Sequence, residues 1–260
     1  MAPEDPPGFI VRTEAQKAAF ERGFRLERGI DGPWLRYAST TAPVEIWIAG
    51  TGRTGPWFLA MDHPGVAAEL GQGITLPGPG VRRYAFPALI GLYDALDRTW
   101  RLARSLPTAP LVRFQQETAG LPRSTEVERL TVQRIGQNLF RAALLDYWGG
   151  RCPLTRISDP PLLRASHIVP WAECDDDAQR LDVHNGLLLS ALWDAAFDAG
   201  LVSFDDNGTI LIFDALSTAA RAVLGIGAQP LDALIFAPAH RQNMRRHRIQ
   251  HGLEVDRAAG

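Results

Sequence analysis

One histidine of the chain lies inside a short apolar run that is otherwise typical of a buried strand. His167 falls in the segment RASHIVPW, and a strand of this kind needs no imidazole for its core. Because imidazole can exchange a proton near neutral pH, a catalytic role is one interpretation. The other interpretation is a structural residue that makes one hydrogen bond. Further candidates follow: Asn185 lies 18 positions later, and Asp194 and Asp198 lie one turn apart on one face of a predicted helix.

These residues fall on short elements of regular type. LLRASHIVPW and HNGLLLS predict two strands, and ALWDAAFD predicts a short helix that carries the acids. A strong helix is predicted before them, from Ser124 or Thr125 to Gly149-Gly150, with a polar cap at its start and glycines at its end. After them, LVSFDDNGTILIF predicts a hairpin, because Asn207-Gly208 accepts the backbone angles of a tight turn.

Four motifs occur in this region in a fixed order. They are R-C-x-x-T from Arg151, A-S-H-I-x-P-W from Ala165, N-G-L-L-L-S from Asn185 and W-D-x-x-F-D-x-G-L from Trp193. With these motifs, residues 150–213 resemble the HNH endonucleases, whose core is two strands and a helix around one divalent metal. The segment QRIGQNLFRAALLDYWGGRCPLTR also resembles the lead-in of the restriction-associated branch of that family. The resemblance implies a C-terminal ββα-metal nuclease domain.

The resemblance also implies a role for each candidate residue. His167 would be the general base that deprotonates the attacking water, and Asn185 would brace the loop that bears the base. Asp194, near the place where the family commonly has a histidine, would be the catalytic metal ligand. Asp198 or a water would complete the site, although Asp198 could instead brace the strand that follows. Hard oxygen ligands favour Mg²⁺ or Mn²⁺. A degenerate, inactive nuclease is the alternative for the whole set.

Basic residues near the C-terminus are candidates for DNA contacts. The segment HRQNMRRHRIQHGL predicts a helix with several arginines and no acid between them, which would clamp the phosphate backbone without sequence choice. The alternative is an exposed helix whose arginines pair with acids of the same chain. A histidine beside the bracing asparagine is either a further phosphate contact or a plain loop residue. The candidate DNA-binding residues are Arg241, Arg245, Arg246, Arg248 and His184.

The first hundred residues predict a separate small α+β domain. Helices are predicted over 13–28 and 87–105, and three short runs between them, 34–40, 44–49 and 57–61, predict an antiparallel meander. Aromatic residues are concentrated in these runs. They would either stack on a flipped, modified base or form an ordinary core. The candidate base-reading residues are Trp34, Tyr37, Trp47 and Trp57.

We therefore predict an α+β fold in three parts: a DNA-recognition domain over 1–105, a linker over 106–124, and a nuclease domain with its helical lead-in over 125–260. A reader domain before a nuclease resembles modification-dependent restriction enzymes at the level of architecture. The predicted function is a metal-dependent DNA endonuclease in restriction or phage defence, with modified cytosine as a candidate target. The alternatives are a dead nuclease scaffold that binds DNA or protein, and a non-specific toxin nuclease.

Composition limits the other classes of function. The chain has 260 residues, a formal net charge of −2 and no apolar run near the ~20 residues of a membrane span, so we expect a cytoplasmic protein without a membrane partner. Lys17 is the only lysine among 27 basic residues, and arginine binds phosphate oxygens in a bidentate manner. Two cysteines, Cys152 and Cys174, are too few for a four-cysteine site, so no structural zinc is expected. Double-strand cleavage would suggest a homodimer.

Overall fold

The computed structural model describes residues 2–122, 124–227 and 231–254, and the chain divides into two compact units, Met1–Ala109 and Pro110–Gly260. Each unit combines helices with antiparallel strands, which confirms the predicted α+β class. None of the described helices is long and apolar enough to span a lipid bilayer.

Five antiparallel strands, each paired with the next along the chain, form the sheet of the first unit. The predicted meander is therefore present, with one additional strand at each edge. The first edge strand was missed because five of its six residues are exposed and it has no alternating apolar pattern. The elements are α1 (Phe9–Glu21), β1 (Leu26–Asp31), β2 (Trp34–Ala38), β3 (Glu45–Gly50), β4 (Trp57–Met61), α2 (Pro64–Glu69), β5 (Arg82–Phe86) and α3 (Leu89–Ser105).

The first helix differs from its prediction over 13–28. It ends at Glu21, and Gly23 follows with a φ of +88°, a conformation that glycine adopts without steric cost. The chain reverses there and continues as β1. Thr13, the first residue of the predicted helix, lies inside α1, and its hydroxyl donates to the carbonyl of Phe9 at 2.9 Å.

The four candidate base-reading aromatics are buried side chains of the first unit. The exposed fraction is 2% for Trp34, 3% for Tyr37, 9% for Trp47 and 0% for Trp57. Trp34 meets Phe58 edge to face, with 6.5 Å between ring centroids, in an apolar cluster of the sheet. A ring enclosed in a core offers no face to a flipped base, so the structure favours the alternative interpretation, an ordinary core.

The second unit surrounds one hydrophobic core with helices and, in its described part, two small two-stranded sheets. Short 3-10 turns lie at Pro160–Leu162, Trp171–Glu173 and Val183–Asn185. The elements are α4 (Thr108–Thr118), α5 (Glu126–Tyr147), β6 (Leu163–His167), α6 (Asp177–Leu181), β7 (Gly186–Ser190), α7 (Ala191–Asp198), β8 (Val202–Phe204), β9 (Ile210–Ile212), α8 (Thr218–Val223) and α9 (Pro238–Gln250).

The segment predicted as a linker, 106–124, contains a helix. α4 occupies most of it, and Phe114 on this helix is 3% exposed within the core of the second unit. Pro110 is compatible with α4 because it lies in the first turn, where an amide hydrogen has no partner inside the helix. The roles assigned to the two domains stay predictions. Arg123 and 255–260, which the predicted parts include, lie outside the described residues.

A long helix and a short strand pair position the candidate residues. α5 begins at a capping box: the Thr125 hydroxyl accepts from the Glu128 amide, and the Glu128 carboxylate accepts from the Thr125 amide, which confirms the predicted start. Phe140 on α5 packs so closely on β7 that a Cβ at Gly186 would lie 2.5 Å from its ring. β6 pairs with β7 in a register that sets His167 opposite Gly186, and α7 follows directly.

Candidate active site

A cleft of about 500 Å³ is lined by β6, by the loop that follows it, by α7 and by the C-terminal end of α9. It brings together His167, Asp194 and Asp198, which are three of the four residues that the sequence singled out for catalysis. The fourth, Asn185, is fully buried and does not line the cleft.

The ring of His167 is held in one orientation by its contacts. It stacks on Phe140 with ring centroids 3.8 Å apart, and Trp171 meets it edge to face at 5.5 Å. Its Nε2 lies 3.0 Å from the carbonyl oxygen of Arg180. Because a carbonyl only accepts, we assign the hydrogen to Nε2, which leaves Nδ1 with its lone pair. Burial lowers the pKa of this imidazole, so the neutral ring with a basic Nδ1 prevails at neutral pH.

Asn185 holds the loop that follows this histidine. Its Oδ1 accepts from the Val169 amide at 2.8 Å, and its Nδ2 donates to the carbonyls of Val169 at 3.2 Å and Gln179 at 3.3 Å. Its own backbone carbonyl accepts from the Ile168 amide. These contacts fit the bracing role that the resemblance implied, and they make Asn185 a positioning residue that acts through the loop.

Two carboxylates reach the cleft from α7. Trp193 and Phe197 anchor this helix in the core, with exposed fractions of 1% and 0%. The hydroxyl of Ser166 donates to Asp198 Oδ1 at 3.2 Å. Burial raises the pKa of both carboxyl groups, and the charge of Asp198 raises the pKa of Asp194 further.

These carboxylates fit a divalent cation. Burial disfavours the ionised form of both groups, and a bound cation would stabilise that form. Carboxylate oxygens are hard ligands, and Mg²⁺ keeps several of its own waters when only one or two carboxylates bind it. Among the described residues, no group of three or more His, Cys, Asp or Glu side chains is arranged to hold a metal. Asp194 and Asp198 therefore suit a hydrated hard ion with few protein ligands.

Residues 152–205 match the sequence model of a protein family described as HNH endonuclease. The second unit contains an HNH endonuclease domain. The matched segment includes β6, β7, α7 and β8, and with them the histidine, the asparagine and both aspartates of the site. No curated protein matches the chain.

Five polar residues line the cleft of the HNH domain without having been predicted: Arg164 and Ser166 on β6, and His247, Gln250 and His251 at the end of α9. The sequence held one signal for them, because two histidines four positions apart share a helix face. It held no signal for what that face meets, since α9 is remote in sequence from β6 and α7.

His184 does not line the cleft. The residue is 8% exposed, its Nδ1 lies 2.9 Å from an Asp182 carboxylate oxygen, and its ring contacts those of Tyr147 and His240 edge to face. A side chain enclosed in this way does not reach a phosphate, so the structure does not support the predicted DNA contact. Its carbonyl accepts from Asn243 Nδ2 on α9 at 3.0 Å, so this cluster helps to anchor that helix.

Two of the predicted DNA-binding arginines pair inside the chain. Arg248 is 6% exposed, and its guanidinium contacts the Phe204 carbonyl, the Asp206 carboxylate and the Glu254 carboxylate, each at 2.8 Å. Arg245 also pairs with Glu254, at 3.1 Å. For these two residues the structure favours the alternative interpretation, in which the arginines of the helix pair with acids of their own chain.

The other two arginines of α9 remain candidates for phosphate contacts. Arg241 and Arg246 are both exposed. Arg246 has a weak partner, a carboxylate oxygen of Asp175 at 3.9 Å, and the side chain of that aspartate is 83% exposed. An exposed pair of this kind contributes little to stability, so a phosphate can replace the carboxylate at small cost.

Both cysteines are buried free thiols. Cys174 Sγ accepts from Asn185 Nδ2 at 3.3 Å, so it belongs to the network that braces the loop. Burial raises the pKa of the Cys174 thiol, and a protonated, enclosed thiol is a poor nucleophile.

We predict that Arg248→Met destabilises the protein, because it removes the donor of the Asp206 carboxylate and of the Phe204 carbonyl and one of the two donors of Glu254. The expected loss in the free energy of unfolding is about 2 kcal/mol, measured by urea titration. The control is Arg241→Met on the exposed side of α9, with an expected change within about 0.5 kcal/mol. Equal losses in both variants would contradict the structural role assigned to Arg248.

Proposed function

We propose that the HNH domain hydrolyses phosphodiester bonds of DNA with the help of a divalent metal ion. One observation supports this most directly. The Arg180 carbonyl accepts a hydrogen bond from Nε2 of His167, which leaves Nδ1 as the basic nitrogen. The same ring lies in the cleft that contains two carboxylates. A phosphodiester repels nucleophiles, so its hydrolysis needs a base for water and a cation for the phosphate close together.

In this mechanism His167 Nδ1 removes a proton from a water molecule. The water oxygen attacks phosphorus, and the bond to the 3′ oxygen breaks. Phe140 behind the ring keeps the imidazole from turning, and the Arg180 carbonyl at Nε2 stabilises the imidazolium that forms. Burial lowers the pKa of His167 and so keeps the ring neutral before the transfer, which is the state that a general base requires.

Asp194 and Asp198 hold the metal ion in this proposal. When bound, Mg²⁺ or Mn²⁺ neutralises the charge that builds up on the phosphate and on the leaving 3′ oxygen. Ser166 orients the second carboxylate through the hydrogen bond to Asp198 Oδ1. Both carboxylates need to be ionised, and a nearby cation lowers their pKa.

We also propose that the nuclease acts in restriction or phage defence and belongs to the restriction-associated branch of HNH proteins. The long helix α5 before the nuclease core supports this, since its sequence resembles the lead-in of that branch. The first unit is a separate compact body that would select the DNA. Selection of the DNA would have to depend on exposed residues of this unit, because the four aromatics first proposed for base reading are buried.

We expect His167→Ala to lower the rate of plasmid nicking at least ~100-fold, because a positioned general base contributes a factor of that order. The assay uses supercoiled plasmid, the full-length chain, and Mg²⁺ or Mn²⁺. Added imidazole should restore part of the activity, which separates loss of the base from loss of the fold. Equal nicking by the wild type and the variant would contradict the assignment.

We expect Asp194→Asn to remove the metal-dependent activity, because an amide is a weaker ligand than a carboxylate for a hard cation. The matched control is Asp214→Asn, an exposed acid outside the cleft, which should nick plasmid like the wild type. If the two variants behave alike in a titration with Mn²⁺, the metal is not held on α7.

The rate of plasmid nicking should decrease only when the pH drops below the ordinary histidine pKa of ~6.5. Because burial lowers the pKa of His167, its neutral form is complete above that pH and is lost as the pH falls through the lowered value. Burial also lowers the pKa of His240 to about 3 and of His247 to about 4, so the unfolded chain binds more protons below pH ~6.5 and stability falls too. Melting curves at each pH separate the two effects, and an acid limb centred above pH 7 would contradict the role of His167.

Digestion of matched plasmids that differ only in cytosine modification tests the selective role of the first unit. A modification-dependent enzyme cuts the modified plasmid at least ~10-fold faster, whereas a non-specific toxin nuclease cuts both alike. Equal cutting would contradict the proposal about modified DNA, but it would not contradict the proposed hydrolysis of DNA by the HNH domain.

A further inference from the structure

α9 ends beside the cleft with two histidines one turn apart, and their surroundings differ. His247 is 3% exposed, and both of its ring nitrogens have partners: Ser203 Oγ lies 3.0 Å from Nδ1, and the Phe197 carbonyl lies 3.2 Å from Nε2. Its ring also stacks on Phe197 with centroids 4.0 Å apart. His247 is therefore a fixed part of the wall and has no ring nitrogen to offer to a ligand.

His251 is half-buried, and within the described part of the chain its ring makes no hydrogen bond, although it lies close enough to Asp198 for its charged form to lower the pKa of that carboxyl. The ring lies 4.5 Å from that of His247, centroid to centroid, so the fixed histidine supports it. Only one ring nitrogen of a neutral imidazole carries a hydrogen, and a ligand in the cleft can select the tautomer whose N–H faces it.

Gly200 allows this ring to approach the end of α7. A Cβ at that position would lie 2.2 Å from His251 Nδ1, and the glycine has a φ of +66°, which other residues rarely adopt. Gly200 follows Asp198 by two positions, so the imidazole lies at the carboxylate end of the cleft. The two aspartates and this ring thus line one cavity, although they do not form a three-ligand metal cluster in the described residues.

We propose that His251 is a substrate-binding residue of the HNH site, whose ring N–H donates to a non-bridging oxygen of the phosphate that is cleaved. The inference rests on the proposed nuclease function and adds a residue from outside the matched segment. A phosphate in this cleft meets two carboxylates, so it needs donors on the walls. Arg164 on β6, which also lines the cleft, supplies another, and its Nη1 is already fixed by the carbonyls of Pro161 and Leu163.

The test compares His251→Ala and His251→Gln with the wild type in steady-state plasmid nicking. We expect kcat/KM to fall about 10- to 100-fold in His251→Ala, the loss typical of one hydrogen bond to a charged oxygen. His251→Gln keeps an N–H donor and should recover part of that loss, which a merely structural role would not predict. Gln242→Ala, on the exposed side of the same helix, is the control and should match the wild type.

A second measurement needs no catalysis. In a His167→Ala background without metal, adding His251→Ala should weaken binding of a short duplex by roughly 3- to 10-fold. Unchanged kcat/KM together with unchanged binding would overturn the proposal for His251. The proposal would also be overturned if His251→Ala lowered the melting temperature and His251→Gln recovered none of the lost kcat/KM. Failure of the wild type to nick plasmid would instead refute the nuclease function, and the binding comparison would still decide the role of His251.

Discussion

The geometry of the site depends on one buried side-chain amide. Asn185 bonds Val169 in both directions and also the carbonyl of Gln179, the residue before Arg180. The Arg180 carbonyl in turn fixes the tautomer of His167. The side chain of Asn185 therefore holds two segments beside His167. One is the loop that follows the histidine, and the other is the segment before Arg180, whose carbonyl contacts the ring. An amide can do this because it donates and accepts at once, whereas a carboxylate or an apolar side chain would leave buried backbone groups unpaired.

Much of the site could be predicted because its parts are local. His167, Asn185 and the two aspartates of α7 fall on consecutive short elements, and the strand pairing brings them together within about thirty residues. The α9 side of the cleft could not be predicted. The sequence of α9 shows a basic helix, but it does not show that Arg248 finds Asp206 and Glu254, because pairing partners are set by tertiary packing.

The first unit shows the same limit at the level of the fold. The central strands carry runs of apolar residues and were predicted, whereas the edge strand β1 is largely exposed, the edge strand β5 is only partly buried, and both lack that pattern. The aromatic residues indicated strands correctly, but the sequence could not say whether Trp34 or Trp57 faces a ligand or a core. That choice depends on what covers the sheet, which residue type does not reveal.

The family match ends at residue 205, whereas one wall of the cleft comes from α9. An excised fragment with the matched bounds would keep His167, Asp194 and Asp198. It would also uncover Phe197, a residue of the core, and Ser203, both of which His247 now contacts. The smallest fragment that keeps this cleft enclosed is therefore longer than the matched segment, and grafting that segment alone onto another scaffold would transfer the candidate catalytic side chains without one wall of their cleft.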